Sequence, residues 1–310
     1  MRQRRVACSP ADMRLTRTLA ERFDRLPGPA RAGMWMSMSA LGYAGSAAVV
    51  KHVSDTLPTF EVAFFRNFFG LMFMLPWLMR VGFVAIRTDR MPMHALRGAI
   101  SAINIWCMFG AIALSPIADV AAISFLMPII GSVLAVTVYK ERSTRQRWLA
   151  VLAGFIGALI VIRPGMSGFN PGLLLAVAAV VAGATVAMLI KTLVGTDGAD
   201  TVAFYLFLWH LIYSAIPTLV VWRTPSWEVL FWLVLLGWLG ALVQRTFNRG
   251  MVAADATVAL PFNFSRLIWA ALFGWIFFGK FPDGWTWLGG TVIFAASAAL
   301  VRFGAAKPAG

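Results

Sequence analysis

Two halves of this chain carry the same landmarks in the same order. Trp148-Leu149 recurs as Trp287-Leu288 and Arg163 as Arg302, both at an offset of 139 residues. Val62-Ala63-Phe64-Phe65 recurs as Val202-Ala203-Phe204-Tyr205, and Lys51 as Lys191, at an offset of 140. The offset drops to 136 if Asp119 corresponds to Asp255. Self-similarity at one offset marks a duplicated architecture. Each copy holds five apolar spans: 33–51, 60–79, 97–115, 118–138 and 147–163, then 171–191, 201–222, 227–246, 255–278 and 285–302. About 20 helical residues at ~1.5 Å rise cross a hydrocarbon core of roughly 30 Å. Because five is odd, the second copy enters the membrane upside down relative to the first. Such inverted repeats place the substrate site near the midplane between the copies. The expected fold is therefore an all-α integral membrane protein with ten transmembrane helices as two inverted five-helix repeats. Residues 1–32 form a basic tail, and 33–163 and 171–303 the two repeats.

Composition and charge agree. Hydrophobic residues make up 60% of the chain and charged ones 13%, against about 25% charged in soluble domains. Twenty-one of the 27 basic residues fall on the tail's side of the spans and four opposite, while Arg66 and Arg266 lie within spans. By the positive-inside rule both termini are cytoplasmic, in the inner or plasma membrane. The same clustering between spans accounts for the net charge of +14 without a nucleic-acid partner. Cys8 and Cys107 support neither a disulfide framework nor a metal site, and no cofactor is expected. The tail has no apolar core before Gly33, so it is not a cleavable signal. It is read first as a disordered arm, or as an over-extended start upstream of Met13 or Met34. The second reading is an amphipathic surface helix over 11–26, from Leu15, Leu19, Phe23 and Leu26.

VAFFRNFFG (Val62 to Gly70), VYKER (Val138 to Arg142) and PFNFSRLIWAALFGWIFFGKFPDGWTWLGG (Pro261 to Gly290), together with the repeat, resemble the drug/metabolite transporter superfamily, in particular ten-helix carriers with two EamA-type domains. The resemblance covers about 33–303. It implies a central cavity lined by helices 1 to 4 and 6 to 9, with 5 and 10 peripheral. Members often end the ninth helix with an acidic residue, where this chain has Lys280, so the matched ends Glu141 and Lys280 need not act alike.

Arg266, near the middle of an apolar span, is the first candidate for contact with a substrate carboxylate or phosphate. A mid-membrane guanidinium costs about 2.5–3.5 kcal/mol on insertion scales and so faces protein, water or ligand. The repeat pairs Asn104 with Gln244 and Ser124 with Asn263, polar residues that either line a cavity near the two-fold axis or bond neighbouring helices. Arg66 either binds ligand, reaches the outer interface, or is held by Glu61 and Asn67. Tyr205, Trp209 and Tyr213 share one helix face, with His210 beside it; the stripe either stacks a planar substrate or packs between helices. His52 and His94 read as loop residues. Asp119 and Asp255 begin helices, so capping is the first reading and coupling or gating, shared with His210, the second. Lys51 and Lys191 end helices and complement their dipoles. Small residues on helix 5 (Ala150, Gly154, Ala158) and helix 10 (Gly290, Ala295, Ser297, Ala299) suit close packing in the bundle or a homodimer.

Two motifs are discarded. Gly274 to Phe281 lacks the Ser or Thr that ends a phosphate-binding loop and continues a helix. Gly165-Met166-Ser167-Gly168 resembles an intramembrane protease motif, but it falls in the inter-repeat loop with no histidine drawn to it. The leading function is alternating-access transport of a small anionic or zwitterionic metabolite, nucleoside-like or flavin-like, such as S-adenosylmethionine or riboflavin. An amino-acid or drug exporter is the alternative; a scaffold or a membrane enzyme ranks below, since no nucleophile, base or metal cluster is visible. A fluorescent protein that matures only in the cytoplasm, fused after Gly310, should fluoresce. A dark fusion that labels from outside would reverse the orientation.

Overall fold

The computed structural model describes residues 23, 25–54, 56–115, 120, 123–162, 171–278 and 284–304. Among the described residues ten helices carry the fold: α1 (Gly28–Val53), α2 (Thr59–Val81), α3 (Met91–Leu114), α4 (Met127–Thr137), α5 (Arg145–Ile162), α6 (Pro171–Val194), α7 (Ala199–Val220), α8 (Trp227–Ala253), α9 (Ser265–Phe278) and α10 (Gly284–Gly304). Among the described residues, α2, α6, α7 and α8 are each long and apolar enough to cross a membrane by length and composition. Large apolar side chains such as Met79, Leu219, Val220 and Trp227 stand exposed on the perimeter. Prolines fall where helices tolerate them: in the first turns of α1, α3 and α4, and late in α2 (Pro76) and α7 (Pro217).

The two halves interleave. α1 packs on α8 as α6 packs on α3; α2 packs on α8 as α7 packs on α3; α4 packs on α6 as α9 packs on α1. α2 with α7 and α5 with α10 also pack together. Each of these pairings has its repeat-related mate, and through them eight helices form a ring to which α5 and α10 are peripheral. The symmetry reaches single residues. Gly98 of α3 admits Trp209 of α7, and Gly237 of α8, its repeat mate, admits Phe69 of α2, the mate of Trp209. A Cβ on Gly237 would stand 2.3 Å from Phe69 Cβ and 2.9 Å from the Gly70 nitrogen. The small-residue face of α5 is used within the bundle: Gly154 receives the Phe264 ring, and Gly157 faces the Gly289 carbonyl of α10.

Two expected spans are not continuous helices. The span at 118–138 turns at Phe125 and Leu126 before α4 begins. Pro128 has no N–H to offer the preceding turn, so the helix restarts around it. The span at 255–278 divides into a short α-turn (Ala256–Ala259), a 3₁₀ segment (Leu260–Phe264) and α9. Pro261 is the physical reason, since it removes a bond from the helical ladder. The broken segments occupy matching places in the two repeats.

The pole that carries both chain ends is tied across the halves. Asp197 accepts from Thr88 Oγ1 at 2.5 Å and pairs with His94 Nε2 at 2.8 Å. Burial raises the Asp197 pKa, but hydrogen bonds from Thr88, His94 and Thr196 outweigh it and hold the carboxyl below its ordinary value. Arg97 Nη1 donates to the Val202 carbonyl (2.8 Å), Thr201 Oγ1 to Ala85 (2.8 Å), and Tyr205 Oη to Ile86 (2.5 Å). His94 and His52 are therefore helical rather than loop residues. His94 is drawn into α3 by Asp197, and His52 closes α1 edge-on against Trp232. Lys191 Nζ, rather than closing its own helix, donates to the last carbonyls of α8, Met251 (2.7 Å) and Ala254 (2.5 Å). The Lys51 side chain, Lys280 and residues 1–22 lie outside the described residues; Phe23 packs edge-on against Trp35. Gly237→Val should force α2 and α8 apart, an overpacking cost of about 1–3 kcal/mol. Its melting temperature in detergent should fall by several degrees, whereas Gly284→Ala, which meets nothing within 4 Å, should leave it unchanged.

Candidate functional site

The break before α9 sets the site. Leu260, Pro261, Phe262 and Phe264 are buried, with Phe262 against Gly33 of α1 and Phe264 against Gly154 of α5. These anchors fix the start of α9 and point Arg266 inward. Its guanidinium lies over two rings, Tyr43 of α1 at 4.6 Å and Phe125 at the matching break before α4 at 5.0 Å. Among the described residues no carboxylate and no hydrogen-bond acceptor pairs with it. Cation–π contacts stabilise a guanidinium by about 0.5–2 kcal/mol and leave its N–H donors free. Tyr43 remains 48% exposed beside the guanidinium.

Arg66 of α2 lies against α8, where a Cβ on Gly240 would stand 3.3 Å from Arg66 Nε. Neither expected tether holds it: Glu61 accepts from the Arg223 backbone N–H at 3.1 Å, and Asn67 donates to the Ala63 carbonyl at 2.8 Å. Glu61 satisfies a backbone N–H from the other half, and Asn67 a carbonyl one turn back on its own helix. Gln244, one turn beyond Gly240, donates to Asn248 Oδ1 (2.7 Å), and Asn248 to the Ala199 carbonyl (2.8 Å). Asn263 is half-buried on the 3₁₀ segment, its carbonyl accepting from the Ser265 N–H.

Other candidates stand elsewhere. Asn104 Nδ2 donates to the Ala179 carbonyl and ties α3 to α6, while in the repeat-related place Ser39 Oγ donates to Val243 and ties α1 to α8 (3.1 Å). Ser124 Oγ donates back to the Val120 carbonyl (2.8 Å). The aromatic stripe lies between helices: Tyr205 stacks on His94 at 4.4 Å, Trp209 on Tyr213 at 5.8 Å, and Tyr213 Oη donates to Ala95 (3.4 Å). His210 is buried, both ring nitrogens without a partner among the described residues. It lines a small cavity with Asn67, Trp106 and Ser214. Asp119 lies outside the described residues. Asp255 precedes the α-turn but its side chain makes no capping bond. Arg147 Nη1 draws it away at 3.3 Å, and Glu141, from the other half, accepts from the Ala256 (3.1 Å) and Thr257 (3.2 Å) N–H groups instead.

A model of the EamA-like transporter family matches residues 31–163 and again 170–302. The chain belongs to that family. Among the relatives of this EamA-like transporter is an S-adenosylmethionine uptake transporter of Rickettsia bellii, 28% identical over 263 residues, covering 85% of this chain and 90% of that one. A riboflavin transporter of Vibrio cholerae is 29% identical over 281 residues, covering 89% and 94%. A pseudopaline exporter of Pseudomonas aeruginosa is 32% identical over 265 residues, covering 82% and 90%. A protein crystal structure, 17% identical, superimposes with a TM-score of 0.75 over 89% of this chain and 98% of its own; it shares the fold. The transporter is thus a multi-pass membrane protein for a small metabolite.

Sequence reasoning passed over Tyr43, Phe125 and Asn248. Tyr43 could have been found as the lone hydroxyl-bearing aromatic in span 1, and Asn248 by its four-residue spacing from Gln244. Phe125 had no signal, being one of 24 phenylalanines. Asn248→Leu strands the Gln244 amide and the Ala199 carbonyl in a fully buried place, at about 1–3 kcal/mol. Its melting temperature should fall clearly, while Asn248→Gln should recover part of the loss; equal stability in all three proteins would show that the bond carries no weight.

Proposed function

We propose that this EamA-like transporter moves a small anionic or zwitterionic metabolite with a planar, nucleoside-like or flavin-like part, such as S-adenosylmethionine or riboflavin, across the cell membrane by alternating access. The observation that carries the reading is the Arg266 guanidinium, held between Tyr43 and Phe125 at the paired helix breaks with its N–H donors unclaimed. A substrate carboxylate or phosphate accepts those donors, and the planar part lies against Tyr43. Arg66, against Gly240 of α8, adds a second positive charge, and Gln244 and Asn263 offer amides. The names of the Rickettsia and Vibrio relatives support the substrate class. The Pseudomonas relative, named an exporter, supports the second reading, in which the same site works outward on an amino-acid-like or drug-like compound.

Both termini lie in the cytoplasm on this reading. The termini-side ties, Thr88 and His94 on Asp197 and Glu141 on the α9 segment, join the two halves and must open when the halves rock. Asp255, beside Glu141, then belongs to the gate rather than to the binding site. Nothing in the cycle needs a covalent step, a metal or a cofactor, so the chain acts as a carrier and not as an enzyme.

The test is metabolite uptake and release, read by mass spectrometry, in cells expressing the wild type, Arg266→Ala or Arg266→Lys at matched membrane levels. A charge-assisted hydrogen bond contributes about 1.5–3 kcal/mol, so Arg266→Ala should lower transport of a few anionic or zwitterionic metabolites roughly ten- to a hundredfold. Arg266→Lys should retain part of it. Equal transport by all three proteins would make Arg266 structural and place the site elsewhere.

A further inference from the structure

A second face of α8 lies opposite Gly240 and Gln244. Trp238, Leu242, Arg245 and Arg249 recur at i, i+4, i+7 and i+11, which is one helix face. With Trp35 and Met38 of α1 and Phe73 of α2 they line a groove of about 260 Å³. Met38, Phe73 and Trp238 are 37%, 38% and 47% exposed, so its apolar wall is open. At the termini-side end, two guanidiniums share one carboxylate. Arg245 Nε and Nη2 reach Asp200 Oδ1 and Oδ2 at 2.7 and 3.1 Å, and Arg249 Nη2 reaches Oδ2 at 3.3 Å. Arg245 Nη1 and Arg249 Nε and Nη1 are left without partners among the described residues. Arg249 also lies over the Trp35 ring at 5.2 Å.

We propose that this groove is a binding site for one anionic phospholipid from the leaflet on the termini side. The phosphate accepts from the free N–H groups of Arg245 and Arg249, and one acyl chain lies along Trp238, Phe73 and Met38. A surplus positive charge at headgroup depth above an apolar, aromatic wall matches the two ends of such a lipid, and basic pockets between transmembrane helices hold anionic headgroups. Charge decides against two other occupants. The chain's own tail carries eight arginines against three acidic residues, Asp12, Glu21 and Asp24, a net positive charge that the two guanidiniums repel. A second copy joined through the same groove would set Arg245 and Arg249 against their own images, because a two-fold contact is self-facing. Inorganic phosphate shares the guanidinium chemistry but gains nothing from the apolar wall. This site stands apart from the transport reading and is tested without transport.

The experiment is native mass spectrometry of the delipidated full chain with dioleoyl phosphatidylglycerol or dioleoyl phosphatidylcholine. One phosphatidylglycerol should bind the wild type at least about fivefold more tightly than phosphatidylcholine, and Arg249→Gln should lose about fivefold, each surface arginine contributing roughly that factor. Arg245→Gln/Arg249→Gln should abolish the preference. Acyl-brominated phosphatidylglycerol should quench tryptophan fluorescence, and Trp238→Phe, a substitution in the groove wall, should weaken quenching while keeping the headgroup preference. Equal binding of the two lipids by the wild type overturns the proposal. So does unchanged phosphatidylglycerol binding by Arg249→Gln that elutes as a folded single species. Displacement by millimolar inorganic phosphate would reassign the site to a free anion, and dimer formation in place of lipid binding would reassign it to a second copy.

Discussion

A helix that breaks inside a bilayer releases backbone groups that lipid cannot take, and this constraint organises the molecule. Such a break is stable only where protein surrounds it. The 3₁₀ segment before α9 meets the condition by burying four of its five side chains, with Phe262 and Phe264 seated over glycines of α1 and α5. Pro261 causes the break, the glycines make room for its anchors, and α9 then starts at an angle that carries Arg266 toward Tyr43 and Phe125. Had the segment continued as one straight helix, nothing would have fixed which way the arginine faced.

The interleaving of the halves follows from what holds helices together in lipid. Apolar surface gains little by leaving hydrocarbon, so close backbone approach and a few polar ties do the work. Gly98 and Gly237 supply the approach twice, once per repeat, each receiving an aromatic side chain from a helix of the other half. The polar ties gather at the pole of the chain ends, where Asp197, Glu141 and Lys191 satisfy groups on neighbouring helices. A ring closed by two-fold pairs and sewn at one pole can rock about its centre without unpacking, as a carrier requires.

Much of this was legible in the sequence. Ten spans and their division into two inverted copies follow from apolar length and from an offset near 140, and Arg266 stands out because a charge in an apolar span is costly. Reading individual side chains fared less well. His94 looked like a loop residue because its partner, Asp197, lies 103 positions away. Asp255 looked like a helix cap, yet Arg147 takes its carboxylate and Glu141 does the capping from the other repeat. Trp209 looked like part of a stacking face, but it fills the glycine notch of α3. In each case local spacing was read correctly and the competing partner was invisible.

What the sequence by itself determined is the class, the topology and the symmetry, since these rest on hydropathy and repetition along the chain and need no contact to be known. Which polar groups converge was decided only by the tertiary structure. Tyr43 of α1, Phe125 of the turn before α4 and Arg266 of α9 meet because the two breaks bring these segments together. The two faces of α8, one beside Arg66 and one lining the groove with Trp35, Met38 and Phe73, were likewise unassignable until α1 and α2 were seen against it. Periodicity tells which residues share a face, and packing tells where that face looks.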